Sequence, residues 1–253
     1  MIKLMRPDKP KELEKNETSL TEEYKKTGKS VWRKDYIVKA LMEMSHNKCC
    51  YCETNLTTQA RNMEVEHYHF KDGYPDEVVS WENLLPSCRQ CNSNKGTYDT
   101  IKDGDIIKPT DDDPRDYLYL HCFMIKSKDN ALESKGRKTV DILDLNNRTR
   151  LVNPRIQIAS EIDEKLQNIY EKMCAYANRQ DGKQYGRSRI TNGILDLLKL
   201  AQPDAEYSAF ISTVLSKAKD YQETKKMMET FDLWTSEMED LHNTMISIKL
   251  DTK

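Results

Sequence analysis

The stretch that decides the fold runs Cys49-Cys50-Tyr51-Cys52-Glu53, then Glu64-Val65-Glu66-His67-Tyr68-His69, then Trp81-Glu82-Asn83-Leu84-Leu85-Pro86-Ser87-Cys88-Arg89-Gln90-Cys91-Asn92-Ser93-Asn94-Lys95. Two Cys-x-x-Cys pairs, Cys49 with Cys52 and Cys88 with Cys91, bracket an acid–histidine pair. Four thiolates from two such turns suit one tetrahedral zinc ion. Glu66 and His67, together with Asn92, offer a place for a second, catalytic cation. Cys50 would become a ligand only if Cys49 were displaced, because only Cys49 has the two-residue gap to Cys52.

The residues around the cysteines predict a short hairpin and a helix. Asn62 to Phe70 reads as a strand, Gly73-Tyr74-Pro75-Asp76 as a loop, and Val78 to Leu85 as a returning strand or extended turn. A helix is expected from Cys91 to about Tyr98, where Asn92 and Lys95, three apart, share one side. This arrangement brings Glu66, His67, Asn83 and Asn92 to one place.

In order and spacing, Cys-x-x-Cys, Glu-His, Asn-Leu and Cys-x-x-Cys-Asn-x-x-Lys resemble the HNH endonucleases of the zinc-bearing type, whose active unit is the ββα-metal fold. The resemblance covers about residues 48 to 98. It implies His67 as general base and Glu66 with Asn92 as ligands of one magnesium or manganese ion. Asn83 would bond the loop between the strands and so orient His67. Lys95 would neutralise phosphate charge, and Arg89 would do the same. The last position of the family's name is often histidine; here it is Asn92. Each residue also has a plainer reading: Glu-His pairs are common on surfaces, Asn83 can cap a turn, and His69 can be a half-exposed strand residue. His46, His121 and His242 lie outside any motif and read as structural.

A chain of 253 residues can bury a core without disulfides, so zinc need staple only a local region. The seven cysteines are odd in number, and four fall into the two pairs, which argues for metal rather than a secreted disulfide framework. Cys122 and Cys174 read as small buried hydrophobes. No apolar run approaches a membrane span, and Met-Ile-Lys-Leu-Met-Arg-Pro lacks a signal-peptide core, so a cytoplasmic location is expected. The net charge of −2 requires any nucleic-acid surface to be a local patch or a partner's contribution. Residues 1 to 50 carry twelve basic against eight acidic side chains, a modest excess.

Elsewhere the pattern predicts a mainly α fold: a ββα-metal core set between N-terminal helices and a C-terminal helical bundle. Residues 1 to 47 form an arm and helices, 48 to 100 the core, 101 to 153 a mixed connecting segment, and 154 to 253 the helical region. Residues 1 to 18 read as an extended arm prone to fray, Thr18 or Ser19 as a helix cap, and Trp32, Tyr36, Ile37, Ala40, Leu41 and Met44 as one buried helical face. Asp103 to Asp105 and Asp111 to Asp113 read as solvated acidic turns, and Tyr117 to Ile125 as a strand. One helix follows Pro154 and another runs from Ile190 to Leu200. Pro203 opens a third through Tyr221, and a last seam runs from Met227 to Ile248. Lys183, Arg187 and Arg189 lie in a Gly-bearing linker.

Gly136-Arg137-Lys138-Thr139-Val140 with Asp144-Leu145-Asn146, joined to the N-terminal layout, narrows the resemblance to the HNH subunit of Septu and retron-associated anti-phage systems. That resemblance implies an ABC-like ATPase partner and invading DNA as target, with RNA or tRNA cleavage the alternative. A free-standing restriction-type HNH nuclease and a zinc-stapled adaptor without catalysis remain the other readings.

Overall fold

The computed structural model describes residues 1–57, 63–178 and 186–253, and the chain divides into two compact units. One comprises Met1–Leu118 with Ile125–Asn146, the other Tyr119–Met124 with Asn147–Lys253. The fold is mainly helical. Among the described residues no helix is long and apolar enough to cross a membrane.

In the first unit the opening segment is anchored rather than frayed, because Met1, Ile2 and Leu4 are buried. Arg6 ties it down further, donating to the carbonyls of Trp81 at 2.5 Å and Leu84 at 3.1 Å. Helix α1 (Lys11–Thr27) starts directly after Pro10, so Thr18 and Ser19 lie inside the helix rather than capping it. Leu13, Leu20 and Tyr24 supply the buried stripe that overrides the polar composition. Gly28 closes α1 at φ 66°, a left-handed geometry that costs glycine little. Helix α2 (Asp35–Met44) buries Ile37, Leu41 and Met44 and packs on the second strand of the hairpin.

That hairpin pairs β1 (Met63–His67) antiparallel with β2 (Leu84–Cys88), in a register running from Met63 opposite Cys88 to His67 opposite Leu84. The returning strand starts later than the sequence suggests: Pro75–Glu77 and Trp81–Asn83 form 3-10 turns that take up the interval. Asn62, expected to open the first strand, lies outside the described residues. Helix α3 (Arg89–Lys95) begins before Cys91 because Cys88 caps it, its sulfur accepting the Cys91 N–H at 3.4 Å. It ends at Gly96 rather than Tyr98. The acidic turns are partly neutralised: Asp111 pairs with Lys108 at 2.8 Å and Asp112 with Lys135 at 3.0 Å. Helices α4 (Pro114–Tyr117) and α5 (Lys135–Ile142) complete this unit, capped by Asp113 and Ser134.

The expected strand from Tyr117 to Ile125 is interrupted, giving β3 (Leu118–His121) and β4 (Met124–Ser127) with Cys122 between them at φ 53°. Cys122 is exposed and Cys174 half-buried, so neither is the buried apolar filler expected. In the second unit β5 (Asp251–Thr252) pairs parallel with β3. Helix α6 (Asn153–Ala177) buries Ile162, Leu166, Ile169 and Met173. Helix α7 (Arg187–Leu200) holds Arg187 and Arg189 in its first turn rather than in a linker, while Lys183 lies outside the described residues.

The helix expected from Pro203 through Tyr221 is two helices, α8 (Ser208–Lys217) and α9 (Lys219–Thr230), divided at Ala218 with ψ 125°. The methionine seam is likewise split. Between α9 and α10 (Ser236–Ile248) the chain turns at Asp232, φ 53°, and Thr235 caps the new helix. Met238 and Met245 are core, but Phe231 is 40% exposed. Apolar spacing persists through the break because both helices face the same interior, so periodicity alone does not reveal the turn.

Candidate metal centre and acid–histidine cleft

The hairpin and the start of α3 carry two adjoining sites on one scaffold. Cys88 ends β2 at the Met63 end, and Cys91 follows in the first turn of α3. The other pair is held by its own tight turn, with Cys49 donating its N–H to the Thr54 carbonyl and Glu53 turning left-handed at φ 61°. The four sulfurs of Cys49, Cys52, Cys88 and Cys91 all lie within 4.8 Å of one another. A tetrahedral Zn–S4 unit spaces its sulfurs about 3.8 Å apart, and Cys52 and Cys88 stand at 3.7 Å. Burial raises the Cys49 thiol, yet hydrogen bonding with Cys50, Cys88 and Cys91 brings it well below its ordinary range. Thr54 Oγ1 at 3.1 Å from Cys52 and Ser87 Oγ at 3.7 Å from Cys49 support the sulfurs from outside. Four buried sulfurs with hydroxyl support fit a closed, structural zinc site. Cys50 is buried but stands outside the cluster.

Along the same hairpin, Glu64, Glu66, His67 and Asn92 line one cavity of about 330 Å³, together with Trp32, Arg33, Lys71 and Asp72. Asn92 on α3 donates Nδ2–H to Glu64 Oε2 at 2.6 Å. That bond leaves the amide oxygen as the acceptor Asn92 presents elsewhere. Glu66 is 1% exposed, and its Oε1 lies 2.8 Å from Lys95 Nζ. Burial raises the Glu66 pKa to about 7; Lys95 opposes this, and Cys49 and Glu64 add to it. Two carboxylates and an amide oxygen form a donor set suited to a hard divalent cation.

His67 is buried, with Nε2 2.9 Å from the Val78 carbonyl and its ring edge-on to Trp32 at 4.8 Å. A carbonyl only accepts, so Nε2 carries the proton and Nδ1 keeps its lone pair. Burial lowers the His67 pKa to about 4; the Val78 bond opposes it, and Lys71 and Lys95 add to it. The imidazole is therefore a neutral base at pH 7.

Asn83 stands between the strands. Its Oδ1 accepts the His69 N–H at 2.7 Å, and its Nδ2 donates to the carbonyls of His69 and Glu77 at 3.0 and 3.2 Å. Glu77 precedes Val78, so the amide fixes the backbone that holds His67. His69 itself pairs with Glu77 at 2.6 Å. Arg89 is exposed at the start of α3.

Lys95 is 3% exposed, faces inward and donates to the His67 carbonyl at 2.7 Å. Its charge is engaged by Glu66 rather than presented to solvent. Lys95→Met leaves Glu66 as an unpaired buried acid, and removing one partner of such a pair costs ~3–5 kcal/mol. Because Glu66 can take up a proton, the lower end is expected, about 3 kcal/mol in urea unfolding. An unchanged midpoint would show that the pair contributes nothing.

Glu64 and Trp32 are among the cleft residues that the motif does not mark. Glu64 joins Glu66 because alternate strand residues share a face, a signal present in Glu64-Val65-Glu66. Trp32 reads as part of a helical stripe, but it precedes α2 and packs on His67; nothing in its spacing reveals that contact.

Fold and site together define a mainly helical protein with a four-cysteine, zinc-type staple and an adjoining acid–histidine cleft. No family model matches the chain. It is 42% identical to Septu protein PtuB of Bacillus thuringiensis over 241 residues, covering 95% of this chain and 92% of that protein. A second Septu protein PtuB, from Bacillus mycoides (strain KBAB4), is 28% identical over 169 residues, 54% of this chain and 56% of the relative. The chain belongs to the Septu PtuB family.

Proposed function

We propose that this chain is an HNH-type, metal-dependent endonuclease and the nuclease effector of an anti-phage defence complex. The observation that carries the reading is His67: a buried, neutral imidazole fixed through Nε2 to Val78, in the cavity that also holds Glu64, Glu66 and Asn92. His67 Nδ1 takes a proton from water as that water attacks a phosphodiester phosphorus. Glu64, Glu66 and Asn92 would hold the magnesium or manganese ion. When bound, that ion supplies positive charge to the phosphate oxygens and the leaving 3′ oxygen. Asn83 keeps the Glu77–Val78 backbone in place, and Lys95 sets the position of Glu66. The four cysteines hold zinc, which fixes the hairpin against the start of α3.

A reducing cytoplasm keeps those thiols available for metal. DNA is the foremost substrate, with RNA or tRNA the alternative. Kinship with Septu PtuB proteins, together with the resemblance to ATPase-partnered defence nucleases, supports an ABC-like ATPase partner. The test incubates the purified chain with plasmid DNA and with total RNA in magnesium or manganese, alone and with that ATPase. Metal-dependent scission is expected, and the preferred pool names the substrate. Cleavage only with the ATPase supports the complex. Absence of scission under every condition would leave the zinc-stapled adaptor.

A further inference from the structure

The cleft has an electrostatic problem that its motif residues do not solve. Glu64, Glu66 and Asp72 place three carboxylates around one cavity, and a polyanionic substrate must enter it. Two cations line the same cavity, Arg33 and Lys71. Lys71 is engaged, its Nζ 2.7 Å from Asp72 Oδ1. Arg33 is exposed and has no hydrogen-bond or ion-pair partner among the described residues. Its backbone is nevertheless fixed, because the adjoining Trp32 is 8% exposed and wedged edge-on between Tyr24 at 5.7 Å and His67 at 4.8 Å. A guanidinium on an anchored backbone, unpaired and beside a base, is preorganised for an oxyanion, and its fork matches two phosphate oxygens at once.

We infer that Arg33 binds the substrate's phosphate backbone in this cleft, so that the turn between α1 and α2 is part of the nucleic-acid site. The inference rests on the nuclease reading for its substrate class. Arg33 touches phosphate rather than a base, so its contribution is independent of sequence.

The test uses the full chain carrying His67→Ala, which binds without cutting. Affinity for a duplex DNA and for a single-stranded RNA is measured by fluorescence anisotropy across a salt series. Adding Arg33→Ala is expected to weaken binding about tenfold, as for loss of one charged hydrogen-bonded contact. It should also reduce the slope of log affinity against log salt by about 0.7 to 0.9. Arg33→Lys should restore the slope but only part of the affinity. Lys39→Ala, at an exposed position on α2, is the control and should change neither. Equal affinity and slope in the Arg33→Ala variant, or no binding by the parent, would overturn the inference. Cleavage by the wild-type chain is followed in parallel. Scission with Arg33-independent binding sinks the inference and spares the nuclease; Arg33-dependent binding without scission does the reverse.

Discussion

His67→Ala is expected to lower the rate of strand scission ~10²–10⁴-fold, the range for loss of a positioned general base. The structure gives the replacement little else to damage. The imidazole makes one hydrogen bond, to the Val78 carbonyl, and its loss should cost no more than about 1–3 kcal/mol for the carbonyl left behind. Packing on Trp32 is also reduced, which adds a cavity term of the same order. The mutant should therefore remain folded, retain four-sulfur zinc and bind substrate at saturating concentration, so the loss falls on kcat. His67→Gln makes the comparison sharper, since an amide can keep the Val78 bond but cannot take the proton. Scission lost in alanine and retained in glutamine would mean that His67 serves structure rather than proton transfer.

Cys91→Ser should release the zinc and with it the native arrangement of the first unit. Cys91 is fully buried, its sulfur belongs to the four-cysteine cluster, and its N–H is held by Cys88. Structural zinc in finger peptides binds with apparent free energies of ~10–16 kcal/mol at neutral pH, as large as the whole stability of an ordinary domain at ~5–15 kcal/mol. A serine hydroxyl is a poor replacement for a thiolate, and it leaves three other sulfurs buried without their ion. Expected results are loss of stoichiometric zinc by metal analysis and an unfolding transition at much lower temperature. Chelation of the wild-type chain should reproduce both. Full zinc content and an unchanged transition in the serine variant would show that Cys91 is not a ligand.

The legible part of this protein lies where chemistry constrains spacing. Two Cys-x-x-Cys turns must converge to make a four-sulfur cluster, and they do so in the structure. The adjacency of Glu66 and His67 at the end of a short strand can be read directly, as can the helix carrying Asn92. What could not be read are contacts between parts of the chain distant in sequence. Trp32 against His67 joins positions 35 residues apart, and Arg6 on the Trp81 carbonyl joins positions 75 apart. Composition made the opening segment look free, yet three apolar side chains bury it. Lys95 shows the same gap: its spacing from Asn92 gives its side of the helix, but only the strand opposite reveals that Glu66 and a carbonyl occupy its ammonium. The helix breaks at Ala218 and Asp232 leave no mark in the sequence because the apolar period continues through them.

The most direct test is nicking of supercoiled plasmid by the zinc-loaded wild-type chain in magnesium, with the proposed ATPase partner supplied, beside His67→Ala under identical conditions. The expected result is nicked and linear product from the wild type, none above background from the mutant, and equal zinc content and unfolding transitions in both. Equal cleavage by the two proteins would contradict it, because the cleft beside the cysteine cluster would then not be where the phosphodiester is broken.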